Sequence, residues 1–90
     1  MRESAIERHL VQRVRKCGGE PFKIQFLGRS GAPDRLVIFP DGEIVWVELK
    51  APGKKAKPHQ TRMHVRLREM RQSVEVLDSI EAINRTFLLP

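Results

Sequence analysis

The sequence predicts a small mixed α/β domain with the order α-β-β-β-α-β-α. Three observations carry this. Ninety residues is the size of one domain with a lean core, taken here as a single unit over residues 1–90. Apolar residues recur at helical spacing near the start, after Pro58 and near the end, and at strand spacing in between. Turn residues separate the two kinds of run.

Arg2 to Lys16 reads as a helix, because Ile6, Leu10, Val11, Val14 and Cys17 fall on one arc at about 100° per residue. Gly18-Gly19 stops it. Pro21 to Leu27 alternates Phe22, Ile24 and Phe26 with Lys23 and Gln25, the pattern of a half-buried strand. Gly28 to Pro33 is a loop. Asp34 to Phe39 and Glu43 to Lys50 are β-rich runs on either side of Pro40-Asp41-Gly42. Ala51 to Lys57 is a basic loop, and Pro58 opens a helix with Met63, Leu67 and Met70 as its apolar stripe. Ser73 to Leu77 is a short strand. Asp78 or Ser79 caps a last helix through Ala82, Ile83 and Phe87.

Composition narrows the function classes. Hydrophobic residues are 40% and charged residues 31% of the chain, a globular balance. No apolar run approaches the roughly 20 residues that span a bilayer, and Met1 to Lys16 is charged throughout, unlike a signal peptide. The lone cysteine, Cys17, excludes an internal disulfide framework and a cysteine-based zinc site. A reducing cytoplasm is the expected compartment. The net charge is +6, and its location is informative. Between Ala51 and Arg71 lie Lys54, Lys55, Lys57, Arg62, Arg66, Arg68 and Arg71 against Glu69 alone, so this segment carries the whole excess. Such a stretch reads either as a footprint for phosphate backbones or as a solvated face.

The turn brings chemistry together. Pro-Asp-Gly suits a three-residue hairpin loop, with a type I turn followed by a left-handed glycine. That loop sets Ile38 opposite Ile44, Leu36 opposite Trp46, and Asp34 opposite Glu48. A two-residue loop would place Asp34 opposite Leu49, on the other face. Alternation then puts Lys50 on the face of Glu48. Two opposed carboxylates destabilise a strand pair unless something neutralises them, and a hard divalent cation does so through oxygen ligands. Lys50 beside them would stabilise developing negative charge or help orient a nucleophilic water. The alternative is an ordinary surface Glu-Lys face.

Glu7 lies in the middle of the apolar arc of the first helix, where a carboxylate is costly unless paired or coordinated. Glu3 shares the arc but reads as a helix-terminus charge. Gln60, at the start of the second helix, reads either as an ordinary N-terminal helix residue or as a side chain that reaches a water or phosphate near the sheet face. His9, His59 and His64 are expected to face solvent or phosphate, and Cys17 and Trp46 to be core.

Gly31-Ala32-Pro33-Asp34-Arg35, then Val47-Glu48-Leu49-Lys50-Ala51-Pro52-Gly53, then Gln60 opening a helix, resembles the VRR-Nuc family, the virus-type replication-repair branch of the PD-(D/E)XK nucleases. The resemblance covers nearly the whole chain and implies a central mixed sheet flanked by helices. It implies that Asp34 and Glu48 bind Mg²⁺ or Mn²⁺ with the Leu49 backbone carbonyl. Lys50 would assist the attacking water, Glu7 would be the first-helix acid that completes the site, often through water, and Gln60 would support Lys50 or the nucleophile. Arg29, Arg35, Lys54, Lys55, Lys57, Arg62 and Arg66 are the expected DNA contacts. The implied activity is metal-dependent endonucleolytic cleavage of DNA, including branched forms such as four-way (Holliday) junctions, by a homodimer. No organic cofactor or membrane is implied, and the setting is the cytoplasm of a bacterial or phage-infected cell. The rivals are a non-catalytic nucleic-acid-binding module on the same fold and a domain whose basic helix binds an acidic protein.

Overall fold

The computed structural model describes residues 3–90, apart from the side chain of Glu3. The expectations for Arg2 and for the Glu3 charge therefore lie outside the described residues. Seven elements follow in the expected order: α1 (Glu3–Lys16), β1 (Glu20–Lys23), β2 (Arg35–Ile38), β3 (Ile44–Leu49), α2 (Pro58–Glu69), β4 (Ser73–Leu77) and α3 (Ile80–Thr86). The strands form one sheet in the order β1-β2-β3-β4, antiparallel except for the parallel pair β3–β4. This is the mixed sheet flanked by helices.

The hairpin register follows from its turn. Ile38 pairs with Ile44 and Leu36 with Trp46. The Phe39 N–H donates to the Glu43 carbonyl at 2.9 Å, and the Gly42 N–H donates back to Phe39 at 2.9 Å. Asp41 accepts from the Glu43 N–H at 2.9 Å, and Gly42 takes φ +90°. These are the bonds of a type I turn closed by a left-handed bulge residue.

Strand alternation divides the core between two faces. Val37, Val45, Val47 and Leu49 point toward α1 and α3, where they meet Ile6, Leu10, Val14, Ile83 and Phe87. Trp46 and Val74 point the other way, against Met63 and Leu67 of α2 and Phe26. Trp46 donates its indole N–H to Gln72 at 2.9 Å, and Phe26 packs edge-on against it at 5.9 Å. Ser79 caps α3 by accepting from the Ala82 N–H at 3.0 Å.

Two expectations need correcting. β1 ends at Lys23 rather than Leu27, and Phe22 is 45% exposed. Its face of the sheet is covered by α2 only over β3 and β4, so alternation there has no partner layer. Met70 is exposed too, because α2 ends one residue before it and the buried stripe is instead Met63, His64 and Leu67. Arg71 then turns the chain in the left-handed region, at φ +63°.

No helix of the described residues is long and apolar enough to cross a membrane.

Candidate active site

The site lies at the end of the sheet where β2 begins and β3 leaves. Asp34 precedes β2, and its carboxylate accepts from the Leu49 N–H at 3.2 Å across the strand pair. An extended residue directs its N–H and C=O to the same neighbouring strand, so the Leu49 carbonyl also opens toward Asp34. Glu48, one residue earlier in β3, turns its side chain beneath α2 and is 4% exposed. Lys50 follows on the same face.

α2 closes the site because of how it begins. Gln60 sits at the third position of the helix, where its side-chain oxygen accepts from the Lys57 N–H at 2.9 Å, one half of a capping box. That bond orients the amide, so its nitrogen donates to Glu48 Oε2 at 3.2 Å. Lys50 Nζ stands 3.4 Å from the same oxygen. Glu48 Oε2 is thus doubly engaged, whereas Glu48 Oε1 is buried without a hydrogen-bond partner.

The electrostatics follow. Burial pushes the Glu48 pKa above its ordinary 4.5, and the charge of Asp34 adds to the rise, while Lys50 and Gln60 oppose it. A buried carboxylate left with one bare oxygen beside a second carboxylate is costly. The donor set, two carboxylates with a backbone carbonyl nearby, is all oxygen. It suits a hard divalent cation.

The structure brings Asp34, Glu48, Lys50 and Gln60 together, with the Leu49 backbone between them. It places Glu7 elsewhere. Glu7 meets Arg35 Nη2 at 2.7 Å and Lys23 at 3.9 Å. Among the described residues no three acidic, histidine or cysteine side chains converge for a metal. Glu7 is therefore satisfied by an arginine instead of completing a carboxylate cluster. It communicates with Asp34 through that guanidinium, which donates to the Asp34 carbonyl at 3.0 Å and lies 3.7 Å from Asp34 Oδ1.

Arg35 is correspondingly corrected as a surface DNA contact: it is 7% exposed and wedged between sheet and α1. Alternation carried the signal, since a residue next to Asp34 must point to the opposite face, where Glu7 waits. Arg29, Lys54, Lys55, Lys57, Arg62 and Arg66 are all exposed.

Two of the three histidines are corrected as well, while His59 stays partly exposed. His9 bonds Asn84 at 2.7 Å and ties α1 to α3. His64 is 1% exposed, with Nε2 unpartnered. It lies four residues after Gln60, on the same side of α2, and that spacing was the missed signal.

Burial lowers the His64 pKa below its ordinary 6.5, with Arg68 and Lys50 adding to the effect. The unfolded chain then binds the proton more tightly, so this stability is present above about pH 6.5 and lost as pH falls through the folded value. His64→Leu is expected to lose less melting temperature than wild type between about pH 7.5 and about pH 5. Parallel melting curves against pH would show that the imidazole is not held neutral.

Comparison with known proteins converges on one family. No family model matches the chain. "Putative nuclease p44" of Acyrthosiphon pisum secondary endosymbiont phage 1 is 53% identical over 79 residues, 88% of this chain and 85% of the relative. A solved structure described as "VRR_NUC domain" superposes with TM-score 0.87 at 38% identity, covering 92% of this chain and 90% of that one. With identity this high over most of both partners, the chain belongs to the VRR-Nuc family of nucleases.

Proposed function

We propose that this nuclease is a metal-dependent DNA endonuclease that hydrolyses phosphodiesters at the Asp34–Glu48–Lys50 site. One observation supports this above the others: Glu48 Oε1, buried and unpartnered, lies on the sheet face that Asp34 shares. Asp34, Glu48 and the Leu49 carbonyl would hold Mg²⁺ or Mn²⁺. Bound there, the ion would act as a Lewis acid on the phosphoryl oxygen and lower the pKa of water.

The chain's own groups supply the rest. Lys50 holds a positive charge where the phosphoryl oxygens gain negative charge during in-line attack by water. Gln60 fixes the Glu48 carboxylate through Oε2 and leaves Oε1 for a ligand. Arg35, anchored by Glu7, holds Asp34 from behind and is a positioning residue. The exposed Lys54, Lys55 and Lys57 would follow the DNA backbone by charge and shape, with little base reading. Branched DNA, four-way junctions included, is the proposed substrate. A homodimer would present two such sites for paired cuts, in the cytoplasm of a bacterial or phage-infected cell.

The test is incubation of purified protein with a four-way junction, a flap and a linear duplex, with Mn²⁺, Mg²⁺ or chelator, alongside light scattering for oligomeric state. The expected result is ion-dependent cleavage, fastest on the junction, by a dimer. Cleavage unaffected by chelator would overturn the metal assignment, and equal rates on all three substrates would overturn the junction preference. Salt-sensitive binding with no cleavage under any ion would leave a non-catalytic binding module.

A further inference from the structure

Loop 28–31 and α2 border an open cleft of about 250 Å³, lined by Arg29, Ser30, His59, Arg62, Met63 and Arg66. On the helix, positions 59, 62 and 66 form a stripe about 100° from the one that faces the sheet. Arg29 comes from the loop on the other side.

Gly31 locks the two walls together. A Cβ there would stand 2.5 Å from the His59 carbonyl oxygen, and its φ is +88°. Three arginines therefore line one small cleft. None of the three forms an ion pair with a carboxylate among the described residues. Planar guanidinium forks bind phosphate oxygens in pairs. Met63, 7% exposed, supplies an apolar floor against which a sugar can rest.

The cleft adjoins the site already described. His59, in its wall, is the chain neighbour of Gln60, which bonds Glu48. From Gln60 to Arg66 the helix rises about 9 Å. That equals two to three steps of a duplex strand at about 3.4 Å each.

We infer that this cleft is a second phosphate site. It seats a non-reacting phosphodiester of the substrate strand, within about three nucleotides of the linkage at Asp34 and Glu48. By holding that phosphate it sets the strand's register over the active site. The position of the cut relative to the cleft rests on the proposed function; anion binding in the cleft does not.

The experiment measures fluorescence anisotropy of a labelled duplex in chelator, where cleavage does not interfere, across a salt series. Arg62→Gln with Arg66→Gln is expected to weaken binding about tenfold or more and to make the salt dependence shallower by about one to two ions. Lys16→Gln with Arg85→Gln removes equal charge from exposed positions of α1 and α3, on the other face of the sheet, and is expected to cost less than about threefold. Equal losses in the two double variants would overturn the proposal, because the arginines would then act only through the general field.

A second series places one uncharged methylphosphonate at successive linkages. One position should weaken wild type but not Arg62→Gln/Arg66→Gln, and its absence would also overturn the proposal. Inorganic phosphate binding as tightly as the duplex, with no sensitive linkage, would make the cleft a free-anion site and overturn it too. If these binding results hold in a protein that never cleaves, the catalytic reading fails and the phosphate site stands. If the protein cleaves but binding ignores the arginines, the reverse is true.

Discussion

Lys50→Ala is expected to slow DNA cleavage by about 10²-fold or more while leaving DNA affinity within a few-fold of wild type. The ammonium stands 3.4 Å from Glu48 Oε2, and its side chain is only 16% exposed. Such a charge contributes little to long-range attraction of a polyanion but much to charge that develops beside it. Asp34→Asn should have the same effect for a different reason. The amide oxygen can still accept from the Leu49 N–H, as Asp34 does at 3.2 Å, so the strand pair survives while one anionic ligand is lost. Single-turnover cleavage with parallel anisotropy measurements separates the two quantities. Full cleavage by either variant in Mg²⁺ or Mn²⁺ would remove these residues from the reaction.

The second large effect concerns ion removal. Because burial and Asp34 raise the Glu48 pKa, the folded chain binds that proton more tightly than the unfolded chain does. Its stabilising share is present below about 4.5 and is lost as pH rises through the folded value. At neutral pH and without an ion, the ionised carboxylate is a cost, so Glu48→Gln should melt higher than wild type in chelator. With an ion the order should narrow or reverse. At a dissociation constant of about 1 mM, about 10 mM ion adds about 1.4 kcal/mol to wild type. In a domain of this size that is a rise of roughly 6 °C or more. Glu48→Gln should show almost none of it. An equal rise in the variant would place the ion elsewhere.

These two expectations share a lesson about function and stability. Glu48 carries an oxygen that the protein itself does not satisfy, at a position where an amide would relieve the strain on the fold. A chain selected for stability alone has no reason to keep two acids on facing strand ends.

Some of this was legible in the residues alone, for local reasons. A Pro-Asp-Gly loop admits one hairpin register, and with alternation that register puts Asp34, Glu48 and Lys50 on one side of the sheet. Pro58 marks the start of α2, and Ser79 caps α3. Both are short-range rules that need no knowledge of neighbours.

Tertiary packing decided the rest. Glu7 was legible as a carboxylate out of place on an apolar arc, but its partner came from a strand 28 residues away in sequence. No periodicity distinguishes an arginine from a metal ion as the group that satisfies it. Alternation sets Arg35 on the face opposite Asp34, but it does not say what covers that face. Only the packing of α1 over β2 buries it, and the ion pair makes that burial tolerable. His64 is buried by the docking of α2 on β3 and β4, and the arginine cleft exists because Gly31 lets a loop touch that helix. Local order follows from dihedral preferences and spacing, which neighbouring residues determine. The partner of a charge depends on which surfaces meet, and that is decided only when the helices close on the sheet.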